Sequence, residues 1–179
     1  MAITLSRRCK TQRGFTLIEA MVAVAIVAIL AGMGAYMGSD FIANAQRREA
    51  REQLRAGFQK TRALAVGNVS ESVSGEEAAV ALMCLDADAV LHVLAASPGG
   101  ALPGTCDGSD PAARWQTKVA GGSAMQVVDA TASPATPWSC MALNNRGRAV
   151  AYTLGSTACT QPAQVRLIRG GVSTDFSWL

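Results

Sequence analysis

The sequence predicts an α+β protein in which a long N-terminal helix, half transmembrane and half amphipathic, packs on a C-terminal antiparallel β-sheet domain. Three observations carry that expectation. Residues 15–37, FTLIEAMVAVAIVAILAGMGAYM, are apolar except for one acid, Glu19. Residues 39–66 keep a helical period, with apolar positions gathered on one side and arginines largely elsewhere. After Gly67 the chain breaks into short runs of Val, Leu and Ala separated by clusters of Gly, Pro, Ser and Asp, the pattern of short antiparallel strands.

The first element is a basic head, residues 1–14, carrying Arg7, Arg8, Lys10 and Arg13 and ending at Gly14. The apolar run that follows, residues 15–38, rises about 1.5 Å per residue as a helix and so covers a hydrocarbon core roughly 30 Å thick. A carboxylate inside such a helix costs on the order of 3 kcal/mol, so Glu19 needs a partner or a task. If a peptidase cut after Gly14, the new amino group of Phe15 would lie one helical turn before Glu19, placed to pair within one chain or between neighbours. A secretory signal peptide has a shorter apolar core that ends at small residues. Here the glycine precedes the apolar run and an acid interrupts it. A plain membrane anchor accounts for the length but not for Gly14 and Phe15 together with Glu19.

Gly32, Gly34 and Gly38 close the apolar segment. Each costs about 1 kcal/mol in a helix interior, so a bend or a locally melted turn is expected there, although no proline is present. The amphipathic extension, residues 39–66, places Leu54, Phe58, Thr61 and Ala65 on one side. Six cations between Arg47 and Arg62 face only Glu49 and Glu52. Those charges suit a solvated face with pairing at helical spacing, contacts with acidic neighbouring subunits, or anionic lipid head groups.

The C-terminal domain, residues 67–179, holds candidate strands at 78–85, 89–95, 113–119, 124–130, 139–143, 148–153, 164–169 and 172–178. The segment SPGGALPGTCDGSDP, residues 97–111, reads as an exposed loop. Of five cysteines, Cys9 lies in the head, while Cys84, Cys106, Cys140 and Cys159 lie beyond the apolar run, in a part that would form lasting disulfides if it were carried across the membrane. Four cysteines permit three pairings. Cys84 with Cys106 and Cys140 with Cys159 is the favoured one, because each closes a short loop rich in Gly, Pro and Ser.

Charge and site chemistry exclude several classes. The formal charge of +3 would become −1 if the four cations of the head were removed, so residues 15–179 are not broadly basic, and any nucleic-acid contact needs a local patch. The only histidine, His92, sits in the apolar alternation AVLHVLA, where a core or edge position suits it better than a catalytic site needing a positioned base. Glu76 with Glu77, and Asp86 with Asp88, lie in turn-like surroundings. Asp86, Asp88, Asp107 and Asp110 match no calcium-loop spacing, and no cysteine or histidine spacing suits zinc. No cofactor, metal site or enzymatic activity is expected.

The continuous string Arg13, Gly14, Phe15, Thr16, Leu17, Ile18, Glu19 resembles the prepilin peptidase site of type IV pilins and type II secretion pseudopilins. The resemblance implies cleavage between Gly14 and Phe15, N-methylation of Phe15, and a role for Glu19 in aligning subunits. It also implies the pilin fold, a single-pass inner-membrane location with a periplasmic C-terminal domain, and later transfer to a pilus or pseudopilus. The partners implied are the prepilin peptidase and other major or minor pilins. Cys84 followed by Cys106 and Trp115, together with the segment ALNNRGRAV, is similar to H-type pseudopilins and FimT-type minor pilins. That subfamily offers three roles: a minor subunit of a type IV pilus, an H-type pseudopilin of a type II secretion system, or a subunit that binds DNA during uptake. DNA contact would fall on Arg146 and Arg148 in one loop and on Arg166 and Arg169 before Gly170 and Gly171, although no arginine follows those glycines.

Overall fold

The computed structural model describes residues 15–67 and 78–178, the side chains of 34–38 excepted. The head, including Cys9 and Gly14, and the pair Glu76 and Glu77 lie outside the described residues. One helix, α1, spans Leu17–Val66. It is followed by β1 Ala81–Leu85, β2 Val90–Ala95, β3 Ala113–Lys118, β4 Gln126–Asp129, β5 Thr136–Pro137 and β6 Cys140–Leu143. Five more follow among the described residues: β7 Ala149–Val150, β8 Thr153–Leu154, β9 Thr157–Ala158, β10 Val165–Arg169 and β11 Val172–Phe176. This is an α+β, pilin-like arrangement. The chain divides into two compact units, Met1–Phe41 and Ile42–Leu179.

In the first unit every described side chain from Phe15 to Met33 is exposed. The helix continues through Gly32, Gly34 and Gly38, so the expected melted turn is absent. Without proline each glycine keeps its amide donor, and a penalty near 1 kcal/mol does not outweigh the continuous backbone ladder. Among the described residues no helix is long and apolar enough to cross a membrane. The unbroken run of described side chains that starts at Phe15 stops at Met33, and 17 helical residues from Leu17 reach only about 25 Å. Residues 34–38, which the expected span of 15–38 requires, lie outside the described side chains.

The second unit is built on the amphipathic stripe of α1. Ala50, Leu54, Phe58, Thr61 and Ala65 are each at most 2 % exposed. Thr61 is accommodated because its hydroxyl donates to the Gly57 carbonyl at 2.8 Å, which satisfies a buried polar group inside the helix. The stripe packs against residues of two antiparallel sheets, one of five strands ordered β3-β2-β1-β6-β7 and one of four ordered β11-β10-β4-β5. Met83, Leu91, Val93 and Met141 come from the first, and Val127, Val165, Leu167 and Phe176 from the second. Burying side chains of this size contributes about 1.5–3 kcal/mol each. Trp178 joins them through ring contacts of 5.5–5.6 Å with Phe58, Trp138 and Phe176.

Strand alternation sends Leu82 and Cys84 to the opposite face of the five-stranded sheet, where a smaller core forms with Leu94, Leu102 and Ala142. Two disulfides, Cys84–Cys106 and Cys140–Cys159, staple loops over this face. Cys84 and Cys140 are themselves cross-strand partners between β1 and β6. The segment 97–111 is therefore not wholly exposed: Leu102 is 8 % exposed, and the Tyr152 hydroxyl lies 3.2 and 3.0 Å from the Leu102 and Pro103 carbonyls. The strand expected at 148–153 is divided between β7, on the five-stranded sheet, and β8, which pairs with β9 in a separate ribbon. Tyr152 lies between β7 and β8, and the Cys159 amide closes the ribbon by donating to its carbonyl at 2.8 Å.

Candidate functional site

The start of α1 is defined by Thr16. Its carbonyl accepts from Glu19 and Ala20 at 3.1 and 3.2 Å, and its Oγ1 lies 3.4 Å from the Glu19 amide. Thr16 is thus the N-cap and Glu19 the third helical residue, the Thr-x-x-Glu order of a capping box. The helix N-terminus carries a partial positive charge that favours a carboxylate within its first turn. Glu19 therefore has a local reason to sit where it does, in addition to the assembly role expected of it. The sequence signal was legible in Thr16-Leu17-Ile18-Glu19.

Past Glu19 the helix is apolar on every side. Phe15 is 82 % exposed, Leu17 79 % and Ile18 72 %, and exposure continues through Val24, Leu30 and Met33. An all-apolar helix is one whose surroundings are themselves apolar, whether a protein core or a bilayer. The chain's own side chains do not supply that cover within this unit.

The helical arginines divide by what they touch. Arg47 was expected with the outward cations, but it is only 3 % exposed. Its Nη1 donates to the carbonyls of Arg169 and Val172 at 3.1 and 3.3 Å, and its Nη2 donates to Asn44 Oδ1. Those two carbonyls flank Gly170 and Gly171, whose φ values of 59° and 77° make the tight two-residue turn between β10 and β11. Arg47 is the pin that holds that hairpin to the helix. Arg51 and Arg55 both lie 5.9 Å from the Phe176 ring centre, and Arg55 also approaches the Ser177 carbonyl at 3.5 Å. Arg48 and Arg62 are exposed.

The four arginines considered for DNA do not act alike. Arg166 makes a two-pronged pair with Asp175 across β10 and β11, at 2.7 and 2.9 Å. That pairing holds the Asp175 carboxyl below its ordinary range and raises the guanidinium further. Arg169 donates Nη1 to the Gly121 carbonyl at 2.7 Å. Arg146 and Arg148 are exposed, on the turn between β6 and β7. Asn144, 3 % exposed, shapes that turn by accepting from the Arg146 and Arg148 amides at 3.0 and 2.9 Å, and Gly147 takes the left-handed conformation at φ 69°. A Cβ at Gly147 would meet Arg62 Cγ at 3.1 Å, so the Arg62 side chain runs directly beside this turn. Arg62, Arg146 and Arg148 thus gather where α1 ends, a grouping that sequence separation hid.

His92 is buried, and its Nε2 lies 2.9 Å from Asp86 Oδ2. Burial pushes the Asp86 carboxyl upward, but its hydrogen bonds to His92 and to the Val90 and Asp88 amides outweigh this and hold it below its usual value. The amides that Asp86, Asp107 and Asp110 accept belong to their own turns, and no group of described acids, cysteines or histidines is arranged to hold a metal ion.

Residues 9–35 match the family described as the prokaryotic N-terminal methylation motif. That match marks a type IV pilin-like, prepilin-type N-terminus and covers the N-terminal segment alone. No curated protein and no solved structure matches the chain.

Proposed function

We propose that this chain is a minor type IV pilin-like subunit, cut by a prepilin peptidase between Gly14 and Phe15, N-methylated on Phe15, and drawn from the inner membrane into a filament. One observation carries the reading: the methylation motif falls on a helix whose described apolar side chains are all exposed, from Phe15 to Met33. A segment of that kind has to be covered by lipid before assembly and by neighbouring helices after it. In the filament Glu19 pairs with the Phe15 amine of its own or an adjacent subunit and sets the register. The role is structural and non-enzymatic. An H-type pseudopilin of a type II secretion system is the same molecule working in a different machine, supported by the order Cys84, Cys106, Trp115.

The test is the intact mass of the protein from cells with and without the peptidase. A species beginning at N-methylated Phe15, seen only when the peptidase is present, is expected. An unprocessed chain, or cleavage beyond residue 30, would end this reading. Co-purification with pilins or with secretion-system pseudopilins then distinguishes the two machines.

A DNA-binding role gains support from one observation, the approach of the Arg62 side chain to the turn that carries the exposed Arg146 and Arg148. Such a patch binds phosphate in a salt-dependent, sequence-neutral way. Arg166, paired with Asp175, contributes little to it. A shift of duplex DNA that weakens with salt and disappears in Arg146→Gln/Arg148→Gln supports this role, and no shift at low salt rejects it.

A further inference from the structure

The geometry points to a docking site for an extended acidic segment of another protein chain, along the free edge of β3 and into a cleft between β3 and α1. The inference does not depend on entry into a filament. β3 ends the five-stranded sheet and pairs only with β2 among the described strands. The Val119 amide donates to Ala89, so by the two-residue alternation of a strand the amides of Gln116 and Lys118 face the open edge. An edge of this kind offers main-chain hydrogen bonds to an added strand.

Beside it lies a cleft of about 220 Å³ lined by Lys60, Ala63, Leu64, Arg114 and Trp115. Its floor is apolar, with room for one aliphatic or aromatic side chain, and its rim is cationic. No described carboxylate pairs with Lys60, Arg114 or Lys118. Charge complementarity therefore selects an acidic partner, with carboxylates meeting the rim while one apolar anchor enters the cleft. A basic rim next to an indole also suits single-stranded nucleic acid, but base stacking needs an open ring face. Here the Lys60 ammonium already lies 5.5 Å from the Trp115 ring centre, and the ring atom Cζ3 would lie 3.5 Å from a Cβ on Gly57 of α1. A cation already competes for stacking on the ring, and the open edge of β3 offers main-chain pairing that an extended peptide can use, which favours the peptide.

The probe is a short fluorescent peptide of alternating glutamate and valine around a central phenylalanine, titrated against the full chain in detergent micelles. Binding that weakens with salt is expected, with affinity falling about tenfold or more in Lys60→Glu/Arg114→Glu. The same peptide with alternate backbone amides methylated should lose binding, and so should a lysine-for-glutamate version. Lys118→Pro, which removes an outward amide donor without disturbing the pairing with β2, should weaken binding while the unfolding midpoint stays put. Undiminished binding by the methylated peptide would overturn strand addition. Absence of binding in a folded protein, preference for a single-stranded oligonucleotide over the peptide, or self-association lost in Lys60→Glu/Arg114→Glu would each overturn the assignment of an acidic partner.

Discussion

The two parts of α1 are the same secondary structure with opposite dependences on the rest of the chain. Between Ala50 and Ala65 the helix buries a stripe against the sheets of its own unit, and the outer positions are charged. Between Leu17 and Met33 it has no stripe at all, and every described side chain is exposed. The first part is completed by intrachain packing, whereas the second has no such completion and needs an apolar environment from outside. Glycine shows the contrast at single-residue scale. A Cβ on Gly57 would lie 2.7 Å from Leu91 Cδ2 and 3.0 Å from Met83 Sδ, whereas one on Gly32 would meet nothing within 4 Å.

The contrast is most sharply tested in the core. Leu54→Ala is expected to cost about 3 kcal/mol of unfolding free energy, because Leu54 is fully buried and its removal leaves a cavity. Ile26→Ala, at a site 52 % exposed, should leave the denaturant midpoint of the second unit unchanged. Guanidinium titrations of the full chain in micelles, followed by tryptophan fluorescence, read both. Equal losses would mean that the two parts of α1 are not independent.

Replacing Cys84 and Cys106 together by alanine removes a bridge that closes a sequence separation of 22. A loss of about 2–4 kcal/mol is expected by the same titration. Segment 97–111 should then become a preferred site for limited proteolysis. If it stays protected, Leu102 and Tyr152 hold it without the bridge.

Between the two glycines the signs should differ. Gly57→Ala is expected to destabilise by about 1–3 kcal/mol through overpacking against Leu91 and Met83. Gly32→Ala should raise helicity by circular dichroism, in keeping with a gain of up to about 1 kcal/mol for the isolated helix. A destabilising Gly32→Ala would show that a close neighbour covers that position.

The smallest effect is in acid. The Asp86 carboxyl is held below its ordinary value of 3.8, so its contribution is fully present above that value and is lost as pH falls through the folded one. Stability measured between about pH 5 and pH 2 should therefore decline less steeply in Asp86→Asn than in the parent chain. Parallel curves would remove Asp86 and its bond to His92 from the account.

Much of this was legible beforehand because it depends on short-range pattern. The apolar run, the stripe of Leu54, Phe58, Thr61 and Ala65, and most strands of the second unit follow from period 3.6 or period 2. Misses occurred where a local pattern met a distant partner. Arg47 reads as one more cation of a charged face, yet the hairpin from β10 to β11 brings two carbonyls to it and buries it. The run 148–153 reads as one strand, yet the two ends of it join different sheets. β5 and β9, two residues each, are too short to carry any periodic signal. Among candidate DNA contacts, nothing in the sequence sets Arg166 apart from Arg148, because the Asp175 that pairs with it is brought across by a cross-strand register.

By itself the sequence determined what depends on neighbours along the chain: the prepilin-type motif, the helical and strand periods, and the turns at Gly147 and Gly170–Gly171. Only the tertiary structure decided which charged side chains meet which groups. Pairing energies depend on separations of a few ångströms between residues that can be 120 positions apart, and the fold alone sets those distances. So Arg47 became a buried pin and Arg166 a closed pair, while Arg62 came to lie beside Arg146 and Arg148, and Lys60 was stacked on Trp115 at an open strand edge.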